Sequence, residues 1–341
     1  MKLFVVATVL MAGMVHSNAW TQTNWSLAAG YRAETFHGKN LAQFVQEIEQ
    51  ATKGSLKITL HSNNSLVKLN DISAAVQSGK LDAGESIMTS LAKDMPIAGA
   101  DAVPFVVTSY ADAQRLWQFQ RPLIEKTFAQ RGLKPLYAVP WPPQNLYSKK
   151  QITGVQDFKG AKMRTYNATT LRIAELLGAS GVDVPMVEVG KALNSGRIDS
   201  MITSAVTGVE NRVWSDIKYY YEINAWFPKN IVFVNLSAFK ALKPDAQSAL
   251  LKAAQDAENR GWAMSEKAAT ESTNELKSNG IKIERIPADL NATLKRLGEK
   301  FSREWVTGVG NDANEIFMPY YFGVASPAPS STLKAAAAVK P

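Results

Sequence analysis

Two stretches of the chain repeat one another. Ala75-Val-Gln-Ser-Gly-Lys-Leu-Asp82 and Ala192-Leu-Asn-Ser-Gly-Arg-Ile-Asp199 share the order Ala, aliphatic, amide, Ser, Gly, basic, aliphatic, Asp. In each, glycine supplies the left-handed residue that ends a helix, and the aliphatic residue beyond it restarts the chain as a strand. A second matched pair lies upstream: Lys53-Gly-Ser-Leu-Lys-Ile-Thr-Leu60 and Lys159-Gly-Ala-Lys-Met-Arg-Thr-Tyr166, where Lys-Gly opens a short strand. The spacing, roughly 105 to 120 residues, is far too long for a solenoid. One α/β unit present twice predicts two related lobes facing each other across a cleft.

The start of the chain reads as an export signal, residues 1–19. Met1-Lys2 precedes an apolar run from Leu3 to Val15, and Ser17-Asn18-Ala19 places small residues where a signal peptidase cuts, so the mature chain is expected to begin at Trp20. The competing reading is a membrane anchor, but the run is shorter than the roughly 20 residues needed to span a bilayer. The expected location is therefore the periplasm.

Composition agrees with a folded, exported, two-lobed protein. The chain has 341 residues, 46% hydrophobic and 20% charged, enough for two cores. It contains no cysteine, which excludes disulfides, thiolate metal sites and cysteine nucleophiles. The net charge of +8 is spread along the chain without a basic run interleaved with aromatics, so it suggests attraction for small anions and not for nucleic acid.

Strands and helices alternate. A strand at 25–29 leads through a loop bearing Tyr31, Phe36 and His37 to an amphipathic helix over 40–52, with Leu41, Phe44, Val45 and Ile48 on one face. A helix is expected over 109–130. Three prolines at 140, 142 and 143 make 137–147 an extended crossover, and 227–235 reads as a strand leading back. A long helix from Pro244 to Ser278, ended by Asn279-Gly280, would reach roughly 50 Å and brace both lobes. The fold class is thus α/β, with two lobes around a cleft, hinge crossovers and one helix spanning both. The first lobe is expected to comprise 20–140 and 228–258, the second 141–227 and 259–323, with a flexible low-complexity tail at 324–341. In such open sheets a ligand sits beyond the carboxyl ends of the strands.

The signal peptide, Gly84-Glu85-Ser86, Asp157-Phe-Lys-Gly-Ala-Lys-Met-Arg164 with Asn167 three residues on, the Ala192–Asp199 repeat and the long helix after Leu242-Lys-Pro together resemble the DctP-type solute-binding proteins of TRAP (tripartite ATP-independent periplasmic) transporters. The resemblance covers about residues 25 to 305. It implies two α/β lobes that close on a small organic acid and present it to membrane permease subunits. By it, Arg164 matches the arginine that pairs with the ligand carboxylate. The physics favours this too, since a guanidinium offers a planar fork to both carboxylate oxygens and stays charged away from water.

Other candidates follow from the same resemblance. Asn167 either orients that carboxylate or caps the helix that starts there. Glu85 corresponds to an acidic cleft residue touching ligand hydroxyl or amine groups or water; otherwise it pairs with a neighbouring Lys or Arg. The chain departs from well-known members where Thr203 stands for a usual Asn and Gln144 for a second arginine, so fewer polar partners remain. Tyr31, Phe36, Trp141 and Trp226 sit at loop positions facing the expected cleft and are either core rings or the walls of a pocket for a ring-bearing ligand. Together these imply one carboxylate on Arg164 and an aromatic or bulky apolar body.

His37 and His61 have no partner at metal or triad spacing and read as loop or surface residues. No metal or cofactor is called for, and a monomer is expected. The alternatives are a C4-dicarboxylate or sugar-acid receptor of the same class, a ligand sensor, or an exported hydrolase or lyase using Glu85. Against the enzyme stand the missing Ser/His or paired-carboxylate constellation and the absence of a Gly-rich phosphate loop.

Overall fold

The computed structural model describes residues 22–323, so the expected signal peptide and tail lie outside the described residues. The chain starts with β1 (Thr23–Ala29), α1 (Phe36–Ala51), β2 (Leu56–His61), α2 (Ile72–Gln77) and β3 (Ala83–Ile87), followed after two 3-10 segments by α3 (Tyr110–Gln130) and β4 (Leu133–Pro140). It then crosses through Trp141–Gln144 to β5 (Asn145–Ser148), β6 (Lys162–Thr165), α4 (Ala168–Leu176), β7 (Ser180–Asp183), α5 (Val189–Asn194), β8 (Ser200–Thr203), α6 (Ala205–Glu210) and β9 (Tyr219–Tyr221). The return brings β10 (Lys229–Asn235), α7 (Leu236–Ala241), α8 (Pro244–Ser278), β11 (Lys282–Glu284), α9 (Ala288–Val309) and α10 (Asn311–Phe322).

Two sheets result, ordered β2-β1-β3-β10-β4 and β11-β9-β5-β8-β6-β7. The duplication is visible in them. β1 pairs in parallel with β2 and β3, and β6 pairs in parallel with β7 and β8, so β1-α1-β2-α2-β3 corresponds to β6-α4-β7-α5-β8. The repeated motif occupies the same place in both. Gly79 and Gly196 have φ of 76° and 68°, and the equivalent Leu81 N–H and Ile198 N–H return to Ala75 O and Ala192 O at 3.0 and 3.2 Å. The upstream pair, by contrast, is not equivalent. Lys53-Gly54 leads into β2, the second strand of its unit, whereas Lys159-Gly160 leads into β6, the first. The counterpart of Gly54 is Gly178 ahead of β7, with φ of 74° against 77°. A left-handed glycine before a strand recurs wherever the chain turns into a sheet, so it does not by itself mark register.

Each sheet is covered by helices that bury apolar faces against it. On α1, Leu41, Phe44 and Ile48 are buried in the first core with Leu27, Leu56 and Val232. The second core holds Tyr147, Met201 and Ile217 on one side and Leu146, Trp226 and Leu290 on the other. At 35 residues, α8 spans about 52 Å. Its Ala253, Ala254 and Ala257 lie in the first core and its Leu276 in the second, so one rod braces both lobes. Gly261 does not interrupt it: an added Cβ would stand 2.3 Å from Val139 Cγ2, so the missing side chain lets α8 approach β4. The grouping of 259–323 with the second lobe needs one correction. α9 starts in the second core with Leu290 and Leu294, but Phe301 and then Ile316, Phe317 and Tyr320 of α10 join the core around α3. Apolar periodicity shows that these helices have a buried face and says nothing about which core buries it.

Candidate functional site

The carboxyl ends of the parallel strands of both sheets open onto one cavity of about 420 Å³. Tyr31 follows β1, Tyr166 follows β6, Met186 follows β7 and Thr207 belongs to α6 after β8; Trp141 and Gln144 enter from the crossover.

Arg164 is 3% exposed and lines the cavity. Its Nε–H donates to Val184 O at 2.9 Å and its Nη1 to Thr203 Oγ1 at 3.5 Å, and its Cζ stands 4.6 Å from the Tyr166 ring centroid. Among the described residues it makes no ion pair with a carboxylate, the Lys229–Asp101 pair being the fully buried one. Burial pulls its pKa down to about 10, with Tyr166, Tyr31 and Asp183 opposing, so it remains a cation at neutral pH. A buried cation without an internal counter-ion creates a strong demand for an anion.

The other polar groups are held in fixed orientations. Gln144 Nε2 donates to Pro142 O at 2.8 Å, and its Oε1 accepts from the Tyr166 hydroxyl at 3.3 Å. Thr203 donates to Thr207 Oγ1 at 3.1 Å, and Ser204, the N-cap of α6, lies 3.2 Å from the same oxygen. Trp141 donates its indole N–H to Asn230 Oδ1 at 2.8 Å and packs edge-on to Tyr31, 4.9 Å between centroids. The mouth carries Lys68, Asp183 and Glu188, all exposed.

Of the nine residues singled out from sequence, Arg164, Tyr31, Trp141, Gln144 and Thr203 come together on the cavity wall. Asn167, Glu85, Phe36 and Trp226 are not among its lining residues. Asn167 caps α4, accepting Thr170 N–H at 2.9 Å, and donates to Thr89 Oγ1 of the other lobe at 2.7 Å. Trp226 is turned into the second core, and Phe36 stands one layer behind Trp141, 5.5 Å between centroids. Glu85 points from β3 towards α1, with Oε1 3.4 Å from His37 Nδ1. His37 is thus not a surface residue; it is 1% exposed. Burial raises Glu85 to about 7 and lowers His37 to about 3.

Sequence reasoning passed over Tyr166, Ser204, Thr207 and Met186. Tyr166 had a usable signal: it is two residues from Arg164 along an extended segment, hence on the same face. Among the described residues no group of three or more potential metal ligands occurs, and no helix is long and apolar enough to cross a membrane.

Two α/β lobes, a cleft at their strand ends and a buried unpaired guanidinium define a receptor for a small anion. The chain belongs to the family described as bacterial extracellular solute-binding protein, family 7, the DctP family, which matches residues 28–305. It is a TRAP-type solute-binding receptor for small organic acids and not an enzyme. It is 39% identical to DctP6, a Bordetella pertussis extracytoplasmic solute receptor binding pyroglutamic acid, with a TM-score of 0.86 covering 88% of this chain and 100% of that one. It is 34% identical to a marine metagenome TRAP solute binding protein specific for pyroglutamate, again with a TM-score of 0.86, covering 89% and 99%. The 2,3-diketo-L-gulonate-binding periplasmic protein of Escherichia coli is 25% identical over 75% of this chain and 79% of its own.

Proposed function

We propose that the protein captures a compact cyclic monocarboxylate of the pyroglutamate kind in the periplasm and delivers it to the permease subunits of a TRAP transporter. The observation that carries this is Arg164, buried without an internal carboxylate at the base of a cavity walled by Tyr31, Trp141 and Tyr166. One carboxylate satisfies it. The fixed amide of Gln144 and the Thr203/Thr207 hydroxyls then offer hydrogen bonds to a small polar ring, and Trp141 supplies an apolar face. The solved relatives that bind pyroglutamate support this class. A large aromatic body is less well accommodated than the sequence suggested, because Phe36 and Trp226 are core residues and neither lines the cavity that Arg164 faces. For a dicarboxylate's second charge the described lining residues offer as a further cation Lys68, which is exposed and gains little from pairing.

Titration calorimetry with L-pyroglutamate, L-proline, indole-3-acetate, succinate and D-glucuronate tests this. Pyroglutamate is expected to bind tightest. Tighter binding of succinate or glucuronate would overturn the monocarboxylate reading, and tighter binding of indole-3-acetate would restore the bulky aromatic one.

A further inference from the structure

Two hydrogen bonds that tie the lobes across the cleft, Asn167 to Thr89 and Arg32 to Glu210, involve no residue of the cavity wall, and the internal duplication relates them. Register places Leu27 opposite Ala83 and Met163 opposite Ser200, each partner following the Asp of the repeated motif. On that alignment Tyr31 is equivalent to Asn167, and Thr89 to Val206. Asn167, just after β6, donates to Thr89 Oγ1 at 2.7 Å in the turn that follows β3. On the other side Tyr31, just after β1, shares a buried cluster with Val206 of α6, and the next residue, Arg32, donates Nη1–H to Glu210 O at the end of α6, 3.2 Å away. Each lobe therefore sends the loop after its first strand to the helical segment after the other lobe's third strand.

We infer that these reciprocal contacts form a double clasp in which Thr89 and Arg32 are positioning residues that hold the lobes together over the ligand and set its dissociation rate, not its identity. Neither Thr89, Asn167, Arg32 nor Glu210 lines the cavity, so none chooses among acids. Both contacts bridge the two lobes and break when the lobes separate, so they favour the closed state only. A ligand enclosed by both lobes leaves no faster than they part, and interactions made only in the closed state weight that equilibrium directly. Asn167 also shows why the clasp is rigid: its Oδ1 is fixed by the α4 cap, so its Nδ2 is aimed at Thr89 without freedom to turn.

The proposal rests on the binding function above, and its test separates the two. Thr89→Val removes one acceptor while leaving the Asn167 cap intact, and Arg32→Met removes the other donor. Stopped-flow tryptophan emission with L-pyroglutamate should show koff raised about three- to tenfold by each variant, the range expected for one lost hydrogen bond, and further by the pair. The association rate should change less than twofold and the ranking of acids not at all. Thr89→Ser, which keeps the hydroxyl, should restore koff. An unchanged koff, a loss carried by the association rate, or a Thr89→Ser variant as impaired as Thr89→Val would overturn the clasp. If the unaltered protein binds none of the acids, the functional reading fails on its own. Small-angle scattering then decides the clasp, with a larger radius of gyration in the double variant supporting it and equal radii overturning it.

Discussion

The guanidinium of Arg164 sits over the ring of Tyr166, 4.6 Å from its centroid, while the hydroxyl of that ring donates to Gln144 at 3.3 Å. One aromatic side chain thereby holds both the charge of the site and the orientation of its amide. With Nε engaged by Val184 O, the Arg164 head cannot swing, and its remaining N–H groups form a pre-set fork. Preorganisation of this kind lowers the ordering cost at the moment of binding.

Replacing Arg164 by Met should separate function from stability. Loss of the one buried cation that lines the cavity among the described residues should weaken carboxylate binding by about 2–5 kcal/mol, and Arg164→Lys should recover only part of that. The Arg164→Met protein should nevertheless melt no lower than the unaltered chain, because exchanging an unpaired buried charge for an apolar group of similar volume removes a desolvation cost. Undiminished affinity by calorimetry would end the role of Arg164 as the carboxylate anchor.

The burial of His37 and Glu85 side by side predicts an unusual dependence of stability on pH. Glu85 rises from 4.5 to about 7 on folding, so its stabilising contribution is complete below pH 4.5 and is lost as pH climbs towards 7. His37 falls from 6.5 to about 3, so its contribution is complete above pH 6.5 and is lost as pH drops towards 3. Each slope is about 1.4 kcal/mol per pH unit, and between 4.5 and 6.5 the two oppose and cancel. Urea unfolding of Glu85→Gln should match the unaltered chain near pH 4.5 and exceed it at pH 8 by on the order of 3 kcal/mol. A variant weakened equally at both pH values would mean that Glu85 is held ionised by a partner.

Much of the frame was legible, for reasons that also mark where legibility stops. Pro244 and Asn279-Gly280 bracket α8 because proline suits a first helical turn and glycine a helix end, and those rules act locally. Arg164 was legible through its strand-end position and its family pattern. Phe36 and His37 were not, because α1 starts at Phe36 under a Thr35 cap, a turn earlier than its apolar stripe suggested. That placed two residues in a buried helix end instead of a loop. Trp141 and Trp226 lie in the two crossovers, and an irregular segment has no period from which to read the face of a side chain. Only packing shows one ring on the cavity and the other in the second core.

Two glycines in long helices should respond to alanine with opposite signs. Helix propensity alone favours alanine by about 1 kcal/mol at either. At Gly261 the new Cβ would stand 2.3 Å from Val139 Cγ2 and 2.8 Å from Asn40 Nδ2, forcing α8 off β4, so Gly261→Ala should destabilise by about 1–3 kcal/mol. At Gly308 of α9 nothing lies within 4 Å, and Gly308→Ala should stabilise by about 0.5–1 kcal/mol. Equal effects in chemical unfolding would remove the close approach of α8 as the reason for Gly261.

Lys229 and Asp101 form an ion pair at 3.2 Å with both side chains fully buried, where the chain returns from the second lobe into β10. Asp101 Oδ2 also accepts the Lys229 backbone N–H at 2.7 Å, and the Lys229 ammonium lies 5.5 Å from the Trp117 ring centroid. Burial lowers the Lys229 pKa and raises that of Asp101, so each ion depends on the other to remain charged. Lys229→Met leaves the carboxylate alone in the core and should cost about 3–5 kcal/mol, whereas Lys229→Met combined with Asp101→Asn should regain more than half of that while keeping an acceptor for the backbone N–H. Pro228, next to Lys229, lines the cavity, so the single variant should also weaken ligand binding and the double variant should partly restore it. Unfolding curves showing the single variant no less stable than the double would mean that neither group is ionised in the folded protein, and Asp101 would then act only as a neutral tie on the return crossover.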